Sequence, residues 1–442
     1  MKLNPIRRLR RAVYLLHSRA SASVKHFGRH TDEVLSEEPI DFSSPSIPYY
    51  ENLANRMSFV RVVLYMVLLV FVVVTVISNR TLITYENLYY LAKDIEAATL
   101  TAQSEADHMS YPISSADTDF APYRGGLVIA GGEVVTAISG SGKQTLSVNV
   151  DYATPVVRAS EKYFLTFGRG ENSFAVYNSF VQVHRESTEF PVFDAAVADN
   201  GTFAILTRSR DYTSEVVLYD SNMEKVATHH IGGYVTGMAL NASGTCLGVV
   251  SVESKAGVWE TRITLTRIER KITNESVQSV TLTGTLGSAC DFTTDERLAV
   301  ILSDRLLLLK KDATITHEVS FEGRKALLGC ISDGHIAILT RNGDDHASDR
   351  LAAYDRNGNA LYEMPLPANH PIRIAGGADS MLFEGNTLYV RASNTLFAVD
   401  ENGKTVRSAS ISRDTLAICP LNGRLLVCTP AYATRLTRGD FQ

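Results

Sequence analysis

"ADNGTFAILTRS" fills residues 198–209 and "ISDGHIAILTRN" fills residues 331–342. Each phrase opens on a turn pair, Asn200–Gly201 or Asp333–Gly334, and runs straight into a short apolar stretch. Asn, Asp and Gly tolerate the positive φ angles of a tight hairpin turn, so the apolar stretch after them reads as a strand. The likeness extends past both phrases. After the first come a loop, "RSRDYTSE", a strand, "VVLYD", and a turn, "DSNME". After the second come "NGDDHASDR", "LAAYD" and "RNGN" in the same order. The phrase belongs to a larger unit.

Weaker copies of the turn and its strand lie in "SEKYFLTFGR" (160–169), "ASGTCLGVVSV" (242–252), "TDERLAVILSD" (294–304), "EGNTLYVRAS" (384–393) and "LNGRLLVCTP" (421–430), and less clearly in "YRGGLVIAGG" (123–132). The closing turn recurs in "ISGSGKQTLS" (138–147) and "VDENGKTVRS" (399–408), and another short run such as "VFDAAVA" or "ALLGCI" precedes each opening turn. Each unit therefore has four strands. Four-stranded units of about 40 residues, repeated about eight times, predict a mainly β chain folded as a β-propeller, with seven blades possible and a sandwich or open solenoid as the alternative. The last unit is short of its outer strand, which "MSYPISS" (109–115) is placed to supply.

The apolar share of 45% suits a large folded core, and a formal net charge of −5 gives no polybasic field, so nucleic acid is not an expected partner. The charge is uneven. Residues 1–30 hold Lys2, Arg7, Arg8, Arg10, Arg11, Arg19, Lys25 and Arg29 and no acid; then "FVRVVLYMVLLVFVVVTVIS" runs from Phe59 to Ser78 with Arg61 as its one charge. That length and apolarity predict a transmembrane helix over 58–78, and the basic side stays in the cytosol. The leader also places Ile6, Leu9, Val13, Leu16 and Ala20 on one stripe opposite its arginines, which fits either a helix lying on an anionic membrane lipid surface or a solvated tail whose charges set orientation. The expected organisation is a cytosolic basic segment (1–57), the span (58–78), a juxtamembrane helical stalk (79–107) and an extracytoplasmic propeller (108–442) at the cell membrane.

The basic leader and single span, with "ITYENLYYLAKDIEAA" (83–98), "APYRGGL" (121–127) and "SRDYTSEVVLYDS" (209–221), resemble the uncharacterised bacterial family filed as domain of unknown function 5711. The resemblance implies a Gram-positive, membrane-anchored propeller related in architecture to WD-type and quinoprotein-type propellers. It lends no catalytic residues.

Motifs of chemistry are weak. "SGSGKQT" (139–145) departs from the phosphate-loop pattern at Ala137 and Gln144, so no nucleotide is expected. A single tryptophan, Trp259, argues against a quinone cofactor, and no cofactor or metal is expected elsewhere. Asp344, Asp345 and Asp349 with His346 offer at most a weak Ca²⁺ loop, lacking the alternation of an EF-hand. The five cysteines, Cys246, Cys290, Cys330, Cys419 and Cys428, read as buried thiols, with a Cys419–Cys428 bridge left open.

The connections are more informative. Loops between the second and third strands are long and mixed in charge, and in a propeller they share one face. That face gathers Arg169, Glu171, Arg208, Arg210, Asp211, Tyr212, Lys255, Trp259, Asp344, Asp345, His346 and Arg350. Loops on a rigid scaffold carry recognition residues, and Arg, Tyr and Trp are favoured there. The expected function is a protein-interaction platform of the cell envelope without catalysis, bound to an envelope protein partner. The alternatives are a receptor or sensor for a cell-wall fragment or other small molecule, and an enzyme of unrecognised type.

Overall fold

A computed structural model describes residues 57–71, 73, 108–111, 117–269, 276–332, 334–421 and 424–442. Strands gather into eight four-stranded antiparallel sheets. Blades 1 to 7 span residues 119–149, 155–187, 192–231, 234–283, 287–320, 325–365 and 380–410, and in each the four strands, called a to d, pair in chain order. Blade 8 takes a, b and c from Ala417–Leu421, Arg424–Cys428 and Tyr432–Leu436, and its d strand from His108–Ser110. Met109 there stands opposite Ala433, so a strand from before the first blade closes the last. The blade count is eight, and the seven-blade option falls.

The a strands of neighbouring blades adjoin one another all round the ring. They line the axis, and the d strands form the rim, where burial alternates, as in Gln182–Ser187 and Ala360–Pro365. The b strands are buried on both faces. In "FAILT", Phe203 and Ile205 join the apolar cluster shared with blade 2, whereas Ala204 and Leu206 join the one shared with blade 4. In "IAILT", Ile336 and Ile338 face blade 5, and Ala337 and Leu339 face blade 7. Alternate strand residues point to opposite faces, so the repeated phrase encodes two interfaces at once.

The c–d turns of blades 3, 6 and 7 share an Asp. Oδ1 of Asp220, Asp355 and Asp400 accepts backbone N–H bonds from two and four residues on, at 2.8–3.2 Å. Asp side chains satisfy turn backbone in this way. Burial works against the charge of Asp355, but hydrogen bonds from Asn359 and Asn357 outweigh it and hold the carboxyl below its ordinary range.

Two predicted loops are hairpins instead. Residues 252–261 belong largely to strands Cys246–Lys255 and Val258–Arg267, joined at Ala256–Gly257 with φ of +51° and +80°. Residues 342–350 belong largely to His335–Asn342 and Asp345–Asp355, turning at Gly343 with φ +54°. Positive φ at these central positions matches the twist of the flanking strands, so the ladders continue past the sheet. The thiols of Cys419 and Cys428 are buried and unbridged, with Leu426 opposite Cys419 and Ala417 opposite Cys428. Hydrogen bonding with Cys419 and burial push the Cys428 thiol up.

In the N-terminal part, taken by itself, residues 57–71 form a helix with every side chain exposed, Phe59 among them. At 1.5 Å per residue it measures about 22 Å, against roughly 30 Å of bilayer hydrocarbon. Among the described residues no helix is long and apolar enough to cross a membrane. The basic leader, the end of the expected span at Ser78 and the 79–107 stalk lie outside the described residues.

Met109 is fully buried in the seam between blades 8 and 1. Replacing it with Ala is expected to cost about 2–5 kcal/mol in chemical denaturation, whereas Ser110→Ala on the exposed side stays within about 0.5 kcal/mol. Asp355 contributes stability that is complete above the ordinary carboxylate pKa of about 3.9 and is lost as pH falls through its depressed value. Asp355→Asn is therefore expected to be less stable by about 1 kcal/mol near neutral pH, with the gap closing in acid; a pH-independent gap would exclude the charge as its source.

Candidate functional site

Antiparallel pairing in chain order puts b–c connections and d–a connections on one end of the ring and the a–b and c–d turns on the other. The predicted residues lie at the first end, in two groups. Arg169 leaves the b strand of blade 2; Arg208, Arg210, Asp211 and Tyr212 form the b–c connection of blade 3; Trp259 stands half-exposed on the blade 4 hairpin. Asp344, Asp345, His346 and Arg350 lie on the hairpin of blade 6, two positions on from blade 4.

Within the first group the contacts are specific. The Tyr212 ring stacks on His230 at 4.8 Å and 18°, and His230 Nδ1 lies 3.1 Å from Glu215. Arg210 reaches Glu189 at 3.7 Å, between highly exposed side chains, and Lys255 Nζ sits between Glu253 at 2.6 Å and Glu260 at 3.0 Å. Such exposed pairs contribute little stability, so these loops keep their charge for other partners at small cost. In the second group, Arg350 is held by Glu363 at 2.8 Å, and Asp345 accepts the amide of Ala347. Asp349 is buried and clamped by Arg341 at 2.6 Å and Arg373 at 2.8 Å. Two guanidinium groups on one carboxylate occupy the oxygens a Ca²⁺ ion would need, so the weak Ca²⁺ loop is not assembled. Among the described residues no group of three His, Cys, Asp or Glu side chains is arranged for a metal. "SGSGKQT" forms the c–d turn of blade 1, and its Gly142 amide bonds Ser139 within the turn.

Sequence reasoning missed the channel mouth. In blades 3, 4, 5 and 6 the a–b pairing breaks once, opposite Leu206–Thr207, Val250–Ser251, Ile301–Leu302 and Leu339–Thr340 of the b strands. Each break is a bulge with one extra residue: Phe193, Thr236, Ser288 and Leu327. Blades 1, 2, 7 and 8 pair their a and b strands without a break. A bulge twists its strand and re-aims the extra side chain. All four extra residues are exposed, with Phe193 at 38% and Leu327 at 46%. The two hydroxyls turn back on the b strand, Ser288 Oγ donating to Ile301 O at 3.0 Å and Thr236 Oγ1 to Val250 O at 3.4 Å. The apolar pair does not. Beside them Tyr234 is 68% exposed at the start of its a strand, and Leu286 and Ile374, the latter 72% exposed, lie on the connections leading into blades 5 and 7.

The arc from blade 3 to blade 7 thus carries exposed apolar side chains at one mouth of the axis. The inner strands of blades 1 to 3 are joined by an ionic link. Arg158 on blade 2 bonds Asp194 on blade 3 through Nε at 3.0 Å and a terminal nitrogen at 2.8 Å, and lies 3.8 Å from Asp119 on blade 1. The Val157 amide donates to Asp119, which ties the three inner strands together. A signal for the arc exists in the sequence: the inner runs "YVTGMAL" and "KALLGCI" are longer than "PVVRA" or "SMLFE", and each contains a Gly. Glycine inside a strand marks a bulge or a close approach, and a side chain at Gly329 would strike Ile301 of blade 5.

Known proteins add fold and family. No curated protein matches the chain. Among solved structures, apo AztD from Citrobacter koseri is similar at 12% identity and a TM-score of 0.47, covering 67% of this chain and 86% of that one. Kuenenia stuttgartiensis hydrazine synthase is similar at 11% and 0.46, covering 66% and 98%. The Neurospora crassa Pan2 WD40 domain gives 10% and 0.42, covering 73% and 89%. These distant likenesses say nothing about what this chain binds. The model of the Family of unknown function (DUF5711) matches residues 102–435, well over half of the chain, and the protein belongs to that family.

Proposed function

We propose that this protein is a binding platform, anchored in the cell membrane by the apolar segment 58–78, that presents its propeller outside the cytosol to a protein partner of the envelope. The observation that carries the reading is the exposed apolar arc at the channel mouth, Phe193, Tyr234, Leu286, Leu327 and Ile374, bordered by Tyr212, Trp259 and the charged b–c loops. Apolar and aromatic side chains at the centre of a polar rim are the composition of interface hot spots. Phe193 and Leu327 are aimed by backbone bulges on a rigid ring, so that part of the arc is preorganised and costs little entropy to engage. Recognition, rather than turnover, is the role such a surface serves. The orientation rests on the eight basic and no acidic residues of 1–30, which hold that end in the cytosol.

The test is cross-linked capture from native membranes with the full-length protein, comparing wild type with Leu327→Asp/Ile374→Asp. Both positions are exposed, so the variant is expected to melt with the wild type while losing the captured envelope protein. Capture that is unchanged in the folded variant rejects the arc as the interface. Protease added to intact cells, with any outer layer made permeable, is expected to remove the propeller and spare the basic segment; full protection of the propeller rejects the orientation.

A further inference from the structure

The closing blade leaves a notch. In blades 5 and 6 the d strand places a ring against a glycine of the next blade's c–d turn: His317 packs where a Gly358 side chain would stand, and Tyr362 where one at Gly403 would stand. Each ring residue lies opposite a c-strand residue that in turn faces a residue near the start of its b strand, giving the rows Ala299–Leu308–His317 and Ala337–Ala353–Tyr362. The corresponding row of blade 7 is Tyr389–Ala398–Arg407. Its neighbour, blade 8, has no c–d turn, because its d strand is His108–Ser110 from the other end of the propeller sequence.

Residues 437–442 fill the gap only in part. Gln442 exchanges backbone hydrogen bonds with Ser408 at 2.9 and 3.0 Å, and Phe441 is buried against Tyr389 with ring centroids 5.5 Å apart. The apolar cluster between blades 7 and 8 is the thinnest among the described residues, with five buried members. A cavity of about 220 Å³ remains, with Ala398 on its floor, Tyr389 and Phe441 as walls, and Thr405, Asp400 and Arg407 at its rim. Asp400 is engaged by the amides of Asn402 and Lys404. Arg407 is exposed and has no hydrogen bond or ion pair among the described residues.

We infer that this notch is a binding site for a small monocarboxylate with a flat or branched apolar body, its carboxylate on Arg407 and its body against the contacting rings of Tyr389 and Phe441, over Ala398. A guanidinium meets a carboxylate with two parallel hydrogen bonds, and the ring walls favour an apolar body. The cavity is below the roughly 300–1,000 Å³ of drug-sized sites, which limits the ligand to about the size of phenylacetate. Asp400 beside Arg407 disfavours a second negative charge. The site lies on the outer strands of blade 7 toward its c–d turn, whereas the exposed apolar arc lies on the inner strands and connections at the other end of the ring, so it stands or falls independently of the platform reading.

The experiment is saturation-transfer NMR on the full-length protein with phenylacetate, isovalerate and, as the uncharged control, phenethyl alcohol. Wild type is expected to bind both carboxylates and to bind the alcohol at least tenfold more weakly. Arg407→Met, an exposed change, is expected to weaken carboxylate binding by about 10- to 100-fold, the range for a lost charge-assisted pair. Ala398→Leu fills the floor and is expected to abolish binding. No transfer to either carboxylate in the millimolar range overturns the assignment, as does binding that both folded variants retain at wild-type strength.

Discussion

Every b strand of this ring is buried on both faces, and it reaches that state only when both neighbouring blades are in place. Phe203 and Ile205 have their partners in blade 2, and Ala204 and Leu206 have theirs in blade 4. A single four-stranded sheet satisfies its hydrogen bonds internally but leaves two apolar faces wet. Stability therefore lies between blades, and the arrangement is complete only when the chain returns to its start. The seam at Met109 closes the same kind of interface, with Leu426, Cys428 and Ala433 on one side and Leu127 and Ile129 on the other.

The irregular features of the ring leave the interblade clusters closed. The bulges sit on the innermost strands, near one end of the a–b ladder with paired residues on both sides, and they leave Phe193 and Leu327 exposed. The hairpins of blades 4 and 6 extend past the sheet ends, where added residues cost the core nothing. Asp349 is the exception. It is drawn under its hairpin by Arg341 and Arg373, so a residue that reads as a loop acid serves to hold the connection between blades 6 and 7.

The repeat made the architecture legible, because a b strand packed on both sides leaves a short apolar run that a turn must punctuate, and such runs stand out. The closing strand was legible from a deficit, the missing outer strand of the last unit. The hairpins at 252–261 and 342–350 were not. Their charged residues are the same in a loop as in a solvent-exposed ladder, and the Ala256–Gly257 and Asn342–Gly343 turns are short signals within polar surroundings. The bulged arc escaped for another reason: one extra residue changes the register of pairing, which depends on the partner strand and leaves the composition of the run unaltered. The loop positions of the predicted face share one end of the ring, but blade 6 stands apart from blades 2 to 4.

The two halves of the seam are made at opposite ends of synthesis. Tyr111, just beyond the closing strand, hydrogen-bonds Thr429 across 318 residues. At the usual 5–20 residues per second, the interval between translating those two positions is roughly 16 to 64 seconds. During that time His108–Ser110 has no strand beside it, and blade 1 has no blade 8 to cover Leu127 and Ile129. The nascent propeller is a growing arc with one apolar flank open from its first blade to its last, and a chaperone meeting it would find that flank in the same place throughout.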